Sequence, residues 1–351
     1  MISLKSSANI VRVSVILAVL FATGSISAEV KISDSLSLSG WVESSFQHQL
    51  DKVVEGADAG KATTMGLDEF ETNLHFNSGS VSGQVDLSSS GGGVGVEQGF
   101  VSYSFSGGSL SDIKLSISAG RSLSRLGYEA YDSPDRRHRS KSEGIPYPGQ
   151  QDGISLSMEP VDKVGVYVKL VSGSDLWGES TDKSVRKDGG LEAQLSLTPT
   201  EQIVVKAGYA QEKIAAAAAA DAGSDADSDD VTRSMINGWA QYSQGDLTIA
   251  GEINILKAWG AGQLDGMHML GAASYSLEDI ISHPVVVAVR YSAITLDDND
   301  DATDDSSAAI TISPSYAASD DLTLRLELNQ RLNAAEGEGQ TQIALQSLYT
   351  F

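Results

Sequence analysis

The densest run of basic side chains in the sequence is DRRHRSK, at residues 135–141. Its basic members are Arg136, Arg137, Arg139 and Lys141, with His138 among them, and the acids Glu129 and Asp132 precede them. Such charges make and break no bonds by themselves. In a narrow water-filled passage they select ions, because a low-dielectric wall focuses their field. We predict that the four cations and the two acids line a constriction; the alternative is an exposed loop whose arginines pair with nearby acids.

Nucleophilic catalysis has one candidate in the sequence. A serine nucleophile needs a histidine and a third polar group, which are recognised by geometry rather than by order. His75 lies two residues after Asn73, on the same side of an alternating segment. A barrel hydrolase of the phospholipase kind is therefore the alternative from another functional class. Histidine and asparagine on a polar face more often line a wall, so we predict no catalytic residue and no cofactor.

Metal and nucleic-acid chemistry find little support in the composition. The acidic runs 225–230 and 296–305 suggest calcium, which takes several carboxylate oxygens, but neither has the Asp-x-Asp-x-Asp-Gly pattern of a calcium loop. We therefore predict solvated loops and no metal site. A net charge of −23 disfavours phosphate backbones and excludes nucleic acid as a partner. The absence of cysteine excludes disulfides, thiolate metal sites and cysteine nucleophiles.

The elements that would position these groups are strands, because apolar residues recur with period two along most of the chain. The alternating runs cover 35–50, 67–76, 81–88, 96–106, 113–121, 153–159, 163–171, 190–198, 202–210, 234–243, 247–257, 266–275, 284–294, 308–317, 321–332 and 340–351. Pro314 interrupts one of them and predicts a bulge or a strand end at that position. No apolar run after residue 28 is long enough for a transmembrane helix.

One face of most runs is apolar, and the other carries polar and charged residues. The charged members of that second face that we predict to line a lumen are Glu43, Glu69, Glu71, Lys114, Glu252, Arg290, Arg325, Glu327 and Arg331. An open soluble sandwich would show the same alternation. The mixed signs leave the ion preference of the lumen undetermined.

The connections between the runs favour a barrel over a sandwich. Links after even-numbered runs are mostly short and turn-like, whereas links after odd-numbered runs are mostly long, and 122–152 is the longest. This asymmetry is typical of an antiparallel up-and-down transmembrane β-barrel with an even strand number, short periplasmic turns and long extracellular loops. We predict an all-β barrel of about sixteen strands, in which 122–152 is the candidate constriction loop.

The two ends of the chain agree with export to an outer membrane. Residues 1–28 have the charged, apolar and small-residue order of a secretory signal, with cleavage predicted after Ala28, so the barrel would comprise residues 29–351. The last strand ends with Tyr349 and Phe351 on one face. This ending resembles the C-terminal signature of Gram-negative outer-membrane barrels, and the resemblance implies recognition by the barrel assembly machinery.

A second resemblance lies in the middle of the chain. The segment SISAGRSLSRLGYEAYDSPD, followed by IPYPGQQDGISLSM, is similar to a segment of a family of Gram-negative β-barrel porins. The layout also resembles sixteen-stranded general porins, whose loop between strands five and six narrows the lumen. The resemblance implies passive diffusion of ions and small hydrophilic solutes and contact with outer-membrane lipids and lipopolysaccharide. Trimers are common among resembling porins, so a homotrimer is expected, with the monomer as the open alternative. A plugged structural or adhesive barrel is the remaining alternative.

Overall fold

The computed structural model describes residues 29–50, 63–89, 93–105, 113–171, 189–214, 231–259, 264–297, 305–333 and 340–351. The predicted signal segment lies outside them, as do 225–230 and most of the second acidic run. Within the described residues, no helix is long and apolar enough to cross a membrane.

The strands are β1 (Val30–Ser33), β2 (Leu36–Gln49), β3 (Thr63–Ser78), β4 (Val81–Ser89), β5 (Gly95–Phe105), β6 (Lys114–Leu123), β7 (Gln150–Val161), β8 (Val164–Val171), β9 (Gly190–Thr200), β10 (Ile203–Ile214), β11 (Val231–Gln244), β12 (Leu247–Trp259), β13 (Leu264–Ser276), β14 (Val285–Asp297), β15 (Asp305–Ala317), β16 (Leu322–Asn333) and β17 (Thr341–Thr350). A short helix, α1 (Glu278–Ile281), joins β13 to β14, and a single 3-10 turn covers Ser133–Asp135.

The strands β2 to β17 form a closed antiparallel barrel. Each pairs with its neighbours along the chain, and β17 pairs with β2, with Tyr349 opposite Val42. Closure leaves no free sheet edge, which is the condition for a sheet to cross a membrane. The predicted all-β antiparallel up-and-down barrel of sixteen strands is confirmed.

Two details of the barrel differ from the sequence prediction. The short strand β1 was not predicted; it pairs with β2 at Leu36–Leu38, where β17 has already ended. Pro314 causes neither a bulge nor a strand end, so that prediction was wrong. The strand β15 continues to Ala317 and pairs with β14 throughout, while its ladder with β16 skips Ser313 and Pro314. Proline lacks only one amide donor, so one side of the ladder tolerates it.

Burial in this barrel is inverted relative to a globular protein. Large apolar side chains on the outer face are exposed, among them Leu67, Ile154 and Leu345, whereas inner-facing Glu71, Glu192 and Arg290 are nearly inaccessible. This alternation is the pattern of a strand with lipid on one side and a polar lumen on the other. The polar face predicted from the sequence is therefore the inner face of the barrel.

The C-terminal residue packs on the seam between β2 and β17. The Phe351 carbonyl accepts a hydrogen bond from the Gly40 amide at 2.8 Å, and the ring stacks with Tyr349 and Phe70. A Cβ on Gly40 would lie 2.7 Å from the Phe351 ring, so only glycine admits the ring at this position. Recognition of Tyr349 and Phe351 during assembly stays a prediction.

Candidate pore constriction

Residues 124–149, which join β6 to β7, run across the inside of the barrel, and we call them the crossing segment. It contacts inner-facing side chains of eight strands, namely β2, β3, β9, β11, β12, β14, β15 and β16. A sixteen-strand barrel is too wide for wall side chains to fill alone. The segment therefore occupies space that the wall leaves open.

The crossing segment begins on an apolar patch of the otherwise polar wall. Leu126 packs into a buried cluster whose other members are Ala210, Met235, Leu256 and Ile294. Gly208 lies beneath the Leu126 side chain, at a distance that a Cβ would block. The cluster holds the start of the segment against β10–β14 through removal of apolar surface from water.

Arg290 of β14 holds the middle of the crossing segment. Its guanidinium is 1% exposed, forms an ion pair with Glu129, and donates to the Ser140 carbonyl at 2.8 Å and the Lys141 carbonyl at 2.9 Å. A buried arginine is stable only when its donors are used, and the segment supplies most of the acceptors. Arg290 therefore acts as an anchor for two separate points of the segment.

Charged side chains of β16 hold the arginine-rich part of the segment. Arg325 donates to the Arg136 carbonyl at 2.8 Å, and Glu327 accepts the Arg139 amide at 2.7 Å and the Ser140 amide at 3.1 Å. These are bonds to backbone groups of the segment. We call the inner face of β14–β16, with Arg290 and Arg325, the basic wall.

The inner face beyond β17 and β2 is acidic. Glu69 and Glu71 of β3 and Glu97 of β5 each place a carboxylate oxygen within 4.8 Å of the others. Asp86 of β4 adjoins them and is satisfied by Gln84 and Gln98, whose amide groups donate to it. Within the described residues, Glu69, Glu71 and Glu97 form no ion pair. We call the inner face of β3–β5 the acidic wall.

The predicted constriction cations have three different environments. Arg136 is nearly buried and lies 4.0 Å from the Glu43 carboxylate, and Arg139 lies 3.7 Å from Asp68. The Lys141 ammonium lies over the Tyr131 ring, 3.9 Å from its centroid. Arg137 is exposed and, among the described residues, has no hydrogen bond or ion pair. Two of the three arginines therefore lie near carboxylates, whereas Arg137 and Lys141 are exposed to solvent without an ion pair among the described residues.

The predicted wall residues all lie on the inner face, with different exposures. Buried members are Glu43, Glu71, Glu252, Arg290, Arg325 and Glu327, and Glu69 is half-buried. Arg331 is half-exposed and pairs with Glu143 of the crossing segment at 3.0 Å. Lys114 pairs with Glu159 in solvent at the short-turn end, far along the wall from the segment. The pore-lining role of these residues stays a prediction.

Asp132 and His138 of the crossing segment have pKa values that are moved by burial. Burial raises the pKa of Asp132 to about 7, and the charge of Glu97 acts in the same direction. Burial, with Arg290 and Arg325 nearby, lowers the pKa of His138 to about 3. His138 is therefore neutral and contacts Ser313 Oγ at 2.9 Å, so it adds no charge to the basic run.

Glu252 binds the end of the crossing segment through Tyr147. The Tyr147 hydroxyl donates to one Glu252 oxygen, and the Asn237 amide donates to the other. Asn237 also donates to Asn254, which contacts His268. Burial raises the pKa of Tyr147, so the hydroxyl stays a donor. The network fixes the aromatic–proline stretch before β7 against β11–β13.

Several site residues were not found from the sequence. Leu126 resembles any loop leucine, and its packing partners come from four other strands. Glu97 and Asp68 are extra residues at register shifts in β5 and β3, so strict alternation gave no reason to face them inward. The only sequence signal of these shifts is that acidic and polar residues stand next to each other there instead of alternating with apolar ones.

The hydrolase hypothesis finds an incomplete arrangement. The Ser39 hydroxyl lies 3.1 Å from His75 Nε2 on the inner face. Asn73, with its amide oriented to donate, reaches Glu71 at 2.8 Å and Asp86 at 3.3 Å instead of the histidine. In the part of the chain that the structure describes, no polar group contacts His75 Nδ1. A third member that would orient the imidazole is missing there.

The fold has counterparts among solved porins. Pseudomonas putida OprB matches with a TM-score of 0.68 at 9% identity, over 90% of this chain and 94% of that one. An anion-selective porin from Comamonas acidovorans matches with a TM-score of 0.60 at 15% identity, over 90% and 99%. The trimer form of OmpT from Vibrio cholerae matches with a TM-score of 0.59 at 12% identity, over 90% and 99%. These identities establish likeness of fold only.

Sequence comparison assigns the family. No curated protein matches the chain in sequence. The family model described as "Putative beta-barrel porin-2, OmpL-like" matches residues 35–351, which span the whole barrel from β2 to the C-terminal phenylalanine. The chain therefore belongs to this porin family and is an outer-membrane β-barrel of a Gram-negative bacterium.

Proposed function

We propose that this barrel is a water-filled channel for passive diffusion of ions and small hydrophilic solutes, and that the crossing segment forms its constriction. The observation that supports this proposal is the position of the segment, which is held by the basic wall through Arg290 and Arg325. A wide barrel with a partial internal barrier is the architecture of a size-limited pore.

Open space remains beside the crossing segment. A cavity of ≈ 240 Å³ lies between the segment at Arg136–His138 and the wall around Gln241 and Ala272. A second cavity of ≈ 520 Å³ lies between Arg125 and the wall around Lys114 and Tyr167. These spaces support a passage past the segment rather than a solid plug.

The balance of unpaired charge favours cations. The arginines of the basic wall are used by the segment, whereas Glu69, Glu71 and Glu97 have no cationic partner among the described residues. Arg137 and Lys141, which are exposed and form no ion pair among the described residues, are the opposing charges of the segment. We therefore propose a preference for small cations, in which the acidic wall attracts and the basic wall holds the barrier.

Single-channel recording tests the channel directly. The chain without its predicted signal is refolded from detergent and added to a planar bilayer. Stable open steps are expected for a porin. Correct folding, shown by circular dichroism and heat-modifiable gel migration, without any steps would contradict the proposal and favour the plugged structural or adhesive barrel.

The hydrolase alternative has its own outcome. We propose no enzymatic role, because the Ser39–His75 pair lacks a third partner among the described residues and faces the lumen. Release of fatty acid from phospholipid vesicles that disappears in Ser39→Ala would overturn this proposal. The homotrimer, the lipopolysaccharide contact and assembly-machinery recognition stay proposals, and native mass measurement in detergent tests the first of them.

A further inference from the structure

Three carboxylates of the acidic wall are arranged like ligands of a single ion. Glu69, Glu71 and Glu97 come from two strands that are separated by β4, yet one oxygen of each lies within 4.8 Å of the other two. Hard divalent cations take several such oxygens at short range. We propose that these three residues bind one calcium-sized divalent cation inside the lumen.

Glu71 supplies an independent reason for a bound ion. Its side chain is 1% exposed, and its Oε2 atom has no hydrogen-bond partner in the part of the chain that the structure describes. The Oε2 atom of Glu97 is buried and unpartnered in the same way. The other oxygen of each carboxylate is used, by the Asn73 amide for Glu71 and by the Gln150 amide for Glu97. A buried carboxylate oxygen without a partner is costly, and a cation shared by the two Oε2 atoms would satisfy both.

The backbone brings the ligands together through one local irregularity. Register between β4 and β5 shifts after the Asp86–Gln98 pair, and Leu87 then pairs with Val96. Glu97 is the extra residue at this bulge, which turns its side chain toward β3. Ser88, opposite Glu71 on β4, is small enough to leave the space between them open.

Asp132 of the crossing segment borders the same site. Burial first, and then the charges of Glu97, Asp135, Asp86 and Glu69, raise its pKa, so these acids act on its carboxyl group. The segment is already joined to β3 by the Arg139–Asp68 pair. A bound cation would add an ionic link between Asp132 and the acidic wall.

The spacing accommodates a calcium-sized ion. Calcium–oxygen distances of about 2.3–2.6 Å allow two ligand oxygens to lie up to roughly 4.6–5.2 Å apart. A separation of up to 4.8 Å is therefore compatible with calcium without movement of the strands.

The nearby side-chain cations do not take the place of the ion. Arg136 is directed at Glu43, at 4.0 Å, and the Lys141 ammonium lies over the Tyr131 ring. Neither forms an ion pair with Glu69, Glu71 or Glu97. The site therefore keeps an excess of negative charge. Cation binding at this site does not depend on whether the barrel conducts ions.

Calorimetric titration tests the site. Calcium chloride is titrated into the refolded chain in detergent at neutral pH, with roughly 0.1 M KCl to screen surface charge. We expect one saturable site per chain and weaker competition from magnesium. Glu71→Gln and, separately, Glu97→Gln should each lower the calcium affinity by about tenfold or more, because each removes a charged ligand.

Glu159→Gln is the matched control, since Glu159 also faces inward but lies at the short-turn end beside Lys114. It should leave the affinity unchanged, and circular dichroism should show native strand content for all three variants. Absence of saturable binding to the wild-type chain would overturn the proposal. Equal calcium affinity in the wild type and both acidic-wall variants would also overturn it, and would assign the ion to the acidic external loops.

Discussion

The basic wall and the acidic wall lie on the same side of one lumen, separated by β17 and β2, but they use their charges differently. Arg290 donates hydrogen bonds to the Ser140 and Lys141 carbonyls of the crossing segment, and Arg325 donates to the Arg136 carbonyl. Glu69, Glu71 and Glu97 make no ion pair within the described residues. Charges on a pore wall therefore have two separate roles. A paired charge holds a barrier in position, and an unpaired charge interacts with the permeating ions.

The geometry of the partners explains the division. Backbone carbonyls, Glu129 and Gln346 accept hydrogen bonds from the terminal nitrogens of the two arginines, whereas the Nε atom of each arginine has no partner among the described residues. On the acidic wall, the register shift in β3 adds Asp68, which pairs with Arg139 of the segment, and the shift in β5 adds Glu97, which forms no ion pair among the described residues. Neutralising either wall should therefore change a different property of the channel.

The largest effect is expected from Arg290→Met, which keeps side-chain length and removes the anchor. Breaking a buried ion pair by removing one partner costs about 3–5 kcal/mol, because Glu129 then stays buried and charged. We expect the crossing segment to detach from the basic wall and the single-channel conductance to rise. Planar-bilayer recording measures this change.

Arg331→Met is the control for Arg290→Met. Arg331 also pairs with a carboxylate of the segment, Glu143, but its side chain is 48% exposed, so the pair is worth less than about 1 kcal/mol. Conductance near that of the wild type is expected for this variant. An equal increase in both variants would show that the basic wall has no special anchor.

The next effect concerns the acidic wall and should leave conductance steps intact. Glu69→Gln with Glu97→Gln removes two charges, each worth about 1 kcal/mol at ~4 Å in water, from the path of a permeating ion. The cation-to-anion permeability ratio should fall by roughly fivefold per charge at most. Reversal potentials in a salt gradient measure it, and an unchanged ratio would remove the acidic wall from selectivity.

A smaller effect depends on pH through Asp132. Its pKa of about 7 lies above the usual 3.8, so the folded state favours the neutral form. The stabilisation of the folded state that comes from neutral Asp132 is fully present below the usual pKa and is lost as pH rises through about 7. Cation preference should therefore increase between mildly acidic and mildly basic pH, and Asp132→Asn should flatten the profile. A wild-type profile without any change near neutrality would contradict the assignment.

The smallest effect separates free from tied arginines. Arg137 is exposed and unpaired among the described residues, whereas Arg139 contacts Asp68 at 3.7 Å. Arg137→Gln should raise the cation preference slightly and change stability by less than about 0.5 kcal/mol. Arg139→Gln should change stability more than selectivity. The reversal potential measures selectivity, and the midpoint of urea unfolding measures stability. A larger selectivity change in Arg139→Gln, or a larger stability change in Arg137→Gln, would contradict this ranking.

The sequence predicted the barrel well because its two faces meet opposite environments. Alternation in β12, where Glu252 and Asn254 are buried and Ile253 and Ile255 are exposed, fixes both the strand and its orientation. The connection 122–152 was also recognisable as a distinct element from its length alone. The observed strand ends, Leu123 and Gln150, differ from that prediction by two residues before the connection and three after it.

The arrangement inside the barrel could not be predicted in the same way. Contacts such as Arg290 with Ser140, or Leu126 over Gly208, join residues that are far apart in sequence and depend on the path of an irregular segment. His138 was counted with the basic run, yet burial between arginines keeps it neutral. Charge type is visible in a sequence, but the pairing of each charge requires the fold.

The most direct test of the two-wall account is the sign of the wild-type reversal potential under a potassium chloride gradient. The account predicts a potential toward the value for potassium, because the unpaired carboxylates of the acidic wall outweigh Arg137 and Lys141. A potential toward the value for chloride would contradict it, since the arginines tied to the crossing segment would then dominate the passage.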